Sequence, residues 1–268
     1  MNFPRYPKLL KLYPLKRAII TGAGSGLGLE LTKLLLTDGW IVCALDIKTD
    51  ALKQIQHSNL LMHEADVVNR VVLKKVIEDF CSEQHGIDIV FNNAGVGEGS
   101  LFKDYTSENW DWIISINLKA VIDTTYVVLP FLLRQNSGTI VNMASMAGIA
   151  NLPRMSPYNV TKAAVISLSE TLNHELYKTD IHVVCVEPTF FQSSIMQYSK
   201  GDERIIASAE KTVDGSALTS KDAADILLRN LHKRKEVLRF PFSSHVFFYS
   251  RRLFPYLYKK VIRNFLMK

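Results

Sequence analysis

The amino-acid sequence predicts an α/β fold, a doubly wound parallel sheet in a single domain, followed by a basic and aromatic C-terminal helical tail. Three observations support this prediction. Short apolar runs rich in β-branched residues alternate with longer amphipathic runs. A glycine-rich turn separates the first apolar run from the first helix. The length of 268 residues suits one sizeable core.

Each predicted strand is short, apolar and bounded by polar residues or glycine. In chain order the predicted strands are Arg17–Thr21, Trp40–Asp46, Ile87–Asn92, Gly138–Ala144 and Ile181–Glu187, with Glu236–Phe242 as a candidate last strand. The predicted helices are Gly26–Asp38, Arg70–Gln84, Trp110–Leu133 and Ser156–Lys178. Strands that are apolar on both faces and separated by helices imply a parallel sheet with right-handed crossovers.

Composition narrows the class of protein. Hydrophobic residues make up 47% and charged residues 22%, which excludes a disordered, collagen-like or coiled-coil chain. Three scattered cysteines and seven histidines without ligand spacing argue against a disulfide scaffold and a metal site. No uninterrupted run of about 18 apolar residues occurs, so neither a membrane-spanning helix nor a secretory signal is expected. We divide the chain into an N-terminal extension (1–15), one α/β domain (16–242) and an amphipathic tail (243–268).

The first strand leads directly into the glycine-rich turn, whose sequence is Thr21-Gly22-Ala23-Gly24-Ser25-Gly26-Leu27-Gly28. Glycines allow a sharp turn and close approach of a pyrophosphate, and the following helix N-terminus offers it free N–H groups. Because the turn lies between a strand and a helix, it favours a Rossmann-like dinucleotide site over a loop without a ligand. The expected contacts come from Gly22, Ser25, Gly26, Leu27 and Gly28.

Asp46 ends the second predicted strand, where a carboxylate can accept hydrogen bonds from the diol of an adenosine ribose. The same carboxylate would repel a 2′-phosphate. Neither Ser25 nor Ile47 offers a guanidinium to that phosphate, and Lys48 is the nearest base. The sequence therefore favours NAD over NADP as cofactor. The alternative is that Asp46 is only a helix-capping or turn residue.

Tyr158 and Lys162 are four residues apart in a predicted helix and so share one face. A free tyrosine, with a pKa of about 10, is a poor base at neutral pH. A fixed ammonium nearby favours the phenolate, so the spacing predicts a lowered pKa for Tyr158 and a usable proton donor or acceptor. Ser145 follows a predicted strand at its carboxyl end, where doubly wound sheets place ligands.

Together these motifs resemble those of the short-chain dehydrogenase/reductase family over about residues 16–195. The shared pattern consists of Thr21–Gly28, Asp66-Val67, Asn92-Asn93-Ala94-Gly95, Asn117, Ser145, Tyr158-x-x-x-Lys162 and a segment beginning at Pro188. The resemblance implies a dinucleotide-binding catalytic domain and an NAD(P)-dependent oxidoreductase that acts on CH–OH groups.

The resemblance also implies a role for each site residue. Tyr158 would be the general acid/base, Ser145 would orient the substrate oxygen, and Lys162 would hold the nicotinamide ribose and tune Tyr158. Asn117 would assist a water-linked proton relay. The remaining cofactor contacts would come from Asp66 and Val67 at the adenine, and from Asn92, Asn93, Ala94, Gly95, Pro188 and Ser193 elsewhere.

One position departs from the family pattern. The family usually has Pro-Gly after the sixth strand, whereas this chain has Pro188-Thr189, and Ser193 replaces the usual threonine. Thr189 adds a β-branched side chain where the backbone normally has freedom. We expect a tolerated substitution that changes the local loop geometry and leaves the cofactor unaffected.

The residues expected around the substrate are largely apolar. The main candidates are Ser145, Met146, Tyr158, Phe190 and Phe191, and the further ones are Gly97, Leu101, Ile149, Leu152, Met155, Ile195, Met196 and Tyr198. Arg154 is the one nearby base, and a solvated loop position is favoured for it over a clamp on an acidic group. Such a pocket suits a lipophilic alcohol or ketone, such as a steroid or retinoid, better than a sugar or a carboxylate.

The tail holds the excess positive charge. Residues 232–268 contain ten lysines and arginines against one acid, whereas residues 1–231 have a net charge of −3. From Leu257 onward one half of the helical wheel is basic, with Lys259, Lys260 and Arg263, and the other half is apolar, with Leu257, Tyr258, Val261, Ile262, Phe265 and Leu266. This pattern favours a helix at an anionic membrane surface over packing on the protein or a second subunit. No motif supports nucleic-acid binding.

We therefore expect an oxidoreductase of lipid metabolism that transfers a hydride between NAD(H) and a lipophilic secondary alcohol or ketone. The alternatives are an NADPH-dependent carbonyl or 3-ketoacyl reductase and a non-catalytic NAD-binding scaffold at a membrane surface. The expected form is a cytoplasmic homo-oligomer, a dimer or tetramer, with peripheral membrane association.

Overall fold

The computed structural model describes residues 4–266, and the side chains of Phe265 and Leu266 lie outside that description. Within the described chain the strands are β1 (Arg17–Thr21), β2 (Ile41–Asp46), β3 (Leu60–Glu64), β4 (Ile89–Asn92), β5 (Glu98–Gly99), β6 (Gly138–Met143), β7 (Ile181–Val186), β8 (Lys200–Gly201) and β9 (Val237–Leu238). The α-helices of the same residues are α1 (Pro7–Leu12), α2 (Gly26–Thr37), α3 (Asp50–Lys53), α4 (Arg70–Glu83), α5 (Ser107–Ile114), α6 (Ala120–Gln135), α7 (Ala147–Ala150), α8 (Ser156–Glu175), α9 (Glu203–Asp214), α10 (Ser220–Leu231), α11 (Phe242–Leu253) and α12 (Pro255–Leu266).

Seven of the strands form one sheet in the order β3-β2-β1-β4-β6-β7-β9, and every neighbouring pair is parallel. The chain builds outward from β1 in one direction, then crosses back and builds outward in the other. This is the topology of a doubly wound sheet, so the predicted fold class is confirmed. β5 and β8 pair with each other in a separate, two-stranded parallel sheet.

The central strands are apolar throughout because helices cover both faces of the sheet. All five residues of β1 are buried, and they alternate between two cores. Ala18 and Ile20 face the core formed with α2 and α10, whereas Ile19 faces the core formed with α4, α6 and α8. Each face is therefore closed by its own layer of amphipathic helices.

The N-terminal segment packs on the body of the protein. Tyr6, Leu9 and Tyr13 are buried in the same core as α2 and α10. The backbone N–H groups of Arg5 and Tyr6 each donate to the Asp38 carboxylate at 2.8 Å. These contacts make the segment an integral part of the folded unit.

The helix expected over Trp110–Leu133 is longer and interrupted. It runs from Ser107 to Gln135 as α5 and α6, joined by a π-helical turn at Ser115–Lys119. It is long and apolar enough to cross a membrane, and half of its most apolar stretch is buried inside the protein. Its buried residues Val127, Val128 and Leu132 belong to a core of the sheet, so packing accounts for part of its apolar character.

Several elements were not expected from the sequence. They are α1, α3, β3, β5, α7, β8, α9 and α10, while the candidate last strand shrinks to Val237–Leu238. β3 is an edge strand whose five residues are all at least partly exposed, so it lacks the apolar run that marks the central strands. Cys43, Cys81 and Cys185 are free and buried.

The tail forms two helices that return to the protein body. α11 contacts α7, and the phenol of Tyr258 in α12 donates to the backbone oxygen of Ala150 at 2.9 Å. Tyr258 and Ile262 line a small cavity against Ala150, whereas Leu257 and Val261 are exposed. The apolar half of the predicted wheel is thus divided, with one part packed on the body and another facing outward.

Candidate active site

A cavity of about 740 Å³ lies at the carboxyl ends of the sheet strands, where a doubly wound sheet opens. Segments that follow β1, β2, β3, β4, β6 and β7 form its wall, and α9 and α11 complete it. Five of the residues predicted for the site lie off this wall, namely Gly28, Asn92, Leu101, Asn117 and Ile149. The predicted site residues on the wall are Gly22, Ser25, Gly26, Leu27, Asp46, Asp66, Val67, Asn93, Ala94, Gly95, Ser145, Met146, Tyr158, Lys162, Pro188, Phe190, Phe191 and Ser193.

The glycine-rich turn can bind an anion. Gly22 has φ +66°, and a Cβ there would lie 2.7 Å from the Cα of Ala94, so a larger residue does not fit. A Cβ at Gly28 would lie 2.0 Å from the backbone oxygen of Gly22 and 2.6 Å from Nδ2 of Asn93, so the close packing of the turn requires a glycine here. Ser25 makes no side-chain capping bond and the first turn of α2 has no acidic residue. The N–H groups of that turn are therefore available to a pyrophosphate.

Asp46 is held on the wall by two backbone groups. The N–H of Gly24 donates to its Oδ2 at 2.7 Å, and the N–H of Lys48 donates to its Oδ1 at 2.9 Å. The Lys48 ammonium lies 4.7 Å from the ring centroid of Tyr198. Each carboxylate oxygen retains a lone pair that can accept a further hydrogen bond.

The loop after β4 is tied to the end of β1. The hydroxyl of Thr21 accepts from the N–H groups of Asn93 and Ala94, each at 3.1 Å. The Asn93 amide donates to the backbone oxygens of Thr21 (3.0 Å) and Gly22 (2.9 Å). Asn92 lies elsewhere, because it is buried behind the cavity and donates to Oδ1 of Asn142 at 2.8 Å. The Asn92 side chain is therefore engaged inside the protein, and the expected cofactor contact at Asn92 stays a prediction.

Ser145, Tyr158 and Lys162 converge on the cavity. Tyr158 and Lys162 lie one turn apart on α8, and the Lys162 ammonium is 5.6 Å from the Tyr158 ring centroid. That ammonium donates to the backbone oxygen of Met143 at 2.7 Å. The Ser145 hydroxyl accepts from the N–H of Ala147 at 3.1 Å. A phenol, a hydroxyl and an ammonium thus share one wall of the cavity.

The pKa of Tyr158 differs from the expectation. Burial raises it to about 12, and the hydrogen bond with Ser145 opposes this shift. Burial also lowers the pKa of Lys162 to about 8. Desolvation of the phenol outweighs any effect of the Lys162 ammonium, so the prediction that the pKa of Tyr158 is lowered is wrong. At neutral pH the phenol holds its proton and can donate it.

Asn117 lies in the π-helical turn and is fully buried. Its Oδ1 accepts from the N–H of Val96 at 2.8 Å, and its Nδ2 donates to the backbone oxygen of Val96 at 2.9 Å. A Cβ at Gly95 would lie 3.3 Å from this Oδ1. Asn117 therefore positions the segment after β4, and the proton relay stays a prediction.

The substrate side of the cavity is mostly as expected. Its wall includes Gly97, Leu152, Arg154, Met155, Ile195, Met196 and Tyr198, in addition to Met146, Phe190 and Phe191. Leu101 and Ile149 lie off the wall. Sequence reasoning missed Glu98, Trp112, Ile205, Ile206 and Phe247. Most of these stand on helices that were not predicted or on the tail.

Thr189, the departure from the family pattern, joins the tail to the site. Its hydroxyl lies 2.9 Å from that of Ser243, and its N–H donates to the hydroxyl of Ser244 at 3.0 Å. The Ser244 hydroxyl donates to the backbone oxygen of Phe240 at 2.7 Å. Thr189 therefore anchors the start of α11, which explains a hydroxyl-bearing residue at this position.

Comparisons with known proteins add independent findings. The family model described as short chain dehydrogenase matches residues 16–204. The 3-oxoacyl-[acyl-carrier-protein] reductase FabG of Thermotoga maritima is 34% identical over 188 residues, which is 68% of this chain and 76% of that protein.

Solved structures of dehydrogenases are also similar to this chain. A short chain dehydrogenase/reductase from Burkholderia phymatum in complex with NAD has a TM-score of 0.82 at 25% identity, over 90% of this chain and 94% of that one. A serine dehydrogenase complexed with NADP+ has a TM-score of 0.77 at 28% identity, over 85% of this chain and 95% of that one. These neighbours therefore include one complex with NAD and one with NADP+.

Proposed function

The chain belongs to the short-chain dehydrogenase/reductase family of NAD(P)-dependent oxidoreductases, and we propose that it transfers a hydride between NAD(H) and a lipophilic secondary alcohol or ketone. The observation that carries the proposal is the convergence of Ser145, Tyr158 and Lys162 on one cavity with the glycine-rich turn. When bound, the nicotinamide would supply the hydride acceptor or donor.

The protein's own groups handle the proton and the substrate oxygen. Tyr158 donates its proton to the oxygen of a ketone, or accepts one from an alcohol, and Ser145 orients that oxygen by a hydrogen bond. The raised pKa of Tyr158 suits proton donation at neutral pH. Lys162 is protonated there, and its charge stabilises the phenolate left after donation. A screen of lipophilic alcohols and ketones, followed by nicotinamide absorbance, tests the activity.

NAD is the proposed cofactor because of Asp46. Its carboxylate is fixed by Gly24 and Lys48 on the cavity wall, where a 2′-phosphate would meet a negative charge. The measurement is kcat/KM with NADH against NADPH on the same ketone. Faster use of NADPH would contradict this assignment.

A 3-ketoacyl reductase is the second candidate within enzymes, and the 34% identity to the Thermotoga maritima reductase favours it. The two candidate enzymes differ in the substrate that the cavity must bind. An acetoacetyl thioester as substrate tests the reductase, and a hydrophobic secondary alcohol tests the first proposal. The apolar residues on the substrate side support the lipophilic alcohol.

A scaffold that binds NAD without turnover is the alternative from another class. The complete set of Asn117, Ser145, Tyr158 and Lys162 argues against it. Tyr158→Phe distinguishes the two, because it removes the proton donor and leaves the rest of the cavity unchanged. Loss of turnover with retained NAD binding supports an enzyme.

We also propose that the tail docks on an anionic membrane surface. The α11 stripe, defined as Phe242, Val246, Tyr249 and Leu253, recurs every three or four residues and is 49–80% exposed. The exposed cations of α11 and α12 are Arg252, Lys259, Lys260 and Arg263. A tail that exposes both an apolar stripe and cations suits an interface with anionic lipid.

Cosedimentation with phosphatidylcholine vesicles, with and without phosphatidylserine, tests this docking. The variant Val246→Gln/Tyr249→Gln/Leu253→Gln is expected to lose binding to anionic vesicles. The control Val71→Gln/Tyr177→Gln changes side chains that are 79% and 74% exposed elsewhere, and should bind normally. Equal binding by both variants would contradict membrane docking.

The proposed form is a cytoplasmic homo-oligomer, a dimer or tetramer. Ile122 and Tyr126 on α6 and Val160 on α8 are 42%, 70% and 51% exposed, and apolar side chains of this kind are often covered in assemblies. Light scattering of the purified protein and of Tyr126→Lys tests the proposal. A wild-type mass equal to the 30.3 kDa chain would contradict it.

A further inference from the structure

The short segment after β4, which contains β5, packs against β8 and α9. β5 pairs in parallel with β8, with Glu98 opposite Lys200 and Gly99 opposite Gly201. A Cβ at Gly99 would lie 2.9 Å from Cγ2 of Ile205. The backbone on the C-terminal side of Glu98 is thus packed closely against α9, which fixes its position.

Glu98 is a buried carboxylate without a donor. It is 4% exposed, and neither carboxylate oxygen has a hydrogen-bond partner among the described residues. Burying a charge without a partner opposes folding. Such a group is therefore expected to serve a ligand rather than stability.

The neighbouring polar groups are engaged elsewhere. The Lys200 ammonium, opposite Glu98 in the small sheet, lies 4.2 Å from the ring centroid of Trp112. The phenol of Tyr105 accepts from the N–H of Ser100 at 2.9 Å and lies 3.4 Å from the backbone oxygen of Arg154. Burial raises the pKa of Glu98 to about 7, and the charge of Lys200 opposes that shift.

Glu98 lies on the same cavity wall as the reacting groups. A Cβ at Gly95 would lie 3.6 Å from the Lys162 ammonium, and Glu98 follows three residues later. Three residues span at most about 11 Å, so a medium-length substrate can reach both ends. The same wall also includes apolar side chains, among them Val96, Ile116 and Met155.

We propose that Glu98 is a substrate-recognition residue, whose carboxylate accepts a hydrogen bond from a hydroxyl or ammonium group at the far end of the substrate. The inference rests on the proposed function and narrows its substrate class. The substrate is an alcohol or ketone with an apolar middle and a donor group remote from the reacting carbon. Such a donor supplies the partner that Glu98 lacks.

The test uses secondary alcohols with chains of six, eight and ten carbons. Each chain is assayed with NAD in three forms, which carry at the far end a methyl group, a hydroxyl or an amine. The wild type is expected to prefer a donor-bearing form by about tenfold or more in kcat/KM at one or more lengths. The hydroxyl and amine forms show which donor Glu98 takes.

Two variants and a control complete the experiment. Glu98→Leu is expected to abolish the preference for the donor-bearing alcohols over the plain alcohol of the same length. Glu98→Gln keeps the shape and should reduce the preference for the amine more than that for the hydroxyl. Glu210→Gln removes an exposed acid of α9 that lies off the cavity wall and should leave the preference intact.

The outcomes separate this inference from the proposed function. Oxidation of the plain alcohols with no donor preference at any length would overturn the role of Glu98 alone. A preference that persists in Glu98→Leu would overturn it too. Absence of oxidation for every alcohol would instead contradict the proposed function.

Discussion

Replacing Arg239 by methionine should destabilise the protein strongly, because it leaves a buried carboxylate without its partner. Arg239 Nε donates to Oε2 of Glu187 at 2.6 Å, and the Glu187 side chain is 1% exposed. Breaking such a pair costs about 3–5 kcal/mol. The guanidinium also lies 3.8 Å from the ring centroid of Phe248 in α11, so the change removes a contact between the sheet and the tail.

Thermal unfolding measures the loss. At about 2–3 °C per kcal/mol for a chain of this size, Arg239→Met should lower Tm by about 6–15 °C. Glu187→Met/Arg239→Met replaces both charges by apolar groups and should recover most of the loss. Lys75→Met is the matched control, because its pair with Asp79 is 2.8 Å long and exposed, and it should lower Tm far less than Arg239→Met does. Equal Tm values for Arg239→Met and Lys75→Met would refute the reasoning.

Three further predictions concern the site. Tyr158→Phe should lower kcat by at least about 100-fold while leaving the Kd for NADH, measured by fluorescence, within about threefold of the wild type; a variant with full turnover would contradict the mechanism. Asp46→Ser removes the negative charge that opposes a 2′-phosphate, so the ratio of kcat/KM for NADH to that for NADPH should fall by about tenfold or more, and an unchanged ratio would count against the role of Asp46. Lys162 loses its proton near its pKa of about 8, so ketone reduction should slow as the pH rises above about 8. A flat pH–rate profile to pH 10 would be inconsistent with a role for the Lys162 charge in stabilising the phenolate.

The parts of the fold that are dictated locally could be predicted from the sequence. β1 and the glycine-rich turn carry their pattern in consecutive residues, and the structure places them as expected. β3 could not be found in this way, because an edge strand with exposed faces has no continuous apolar run. Pairings between distant segments, such as β5 with β8, leave no local signal either.

The candidate site likewise has features that the local sequence predicts and features that depend on the fold. The positions of Ser145, Tyr158 and Lys162 followed from motif spacing, whereas the raised pKa of Tyr158 did not, because it depends on burial. Thr189 stood out in the sequence only as a departure from the family pattern. Its partners Ser243 and Ser244 lie more than 50 residues further along the chain, so its role required the fold.

The cavity draws its walls from two regions of the chain with different relationships to the family. The family match ends at residue 204, yet Ile205, Ile206 and Phe247 close the cavity beyond that point. Exchanging the C-terminal quarter with that of a relative should therefore change substrate preference only in part, because Glu98 and Met155 lie on the same wall within the matched region. This part of the wall can change in sequence without altering Ser145, Tyr158 or Lys162.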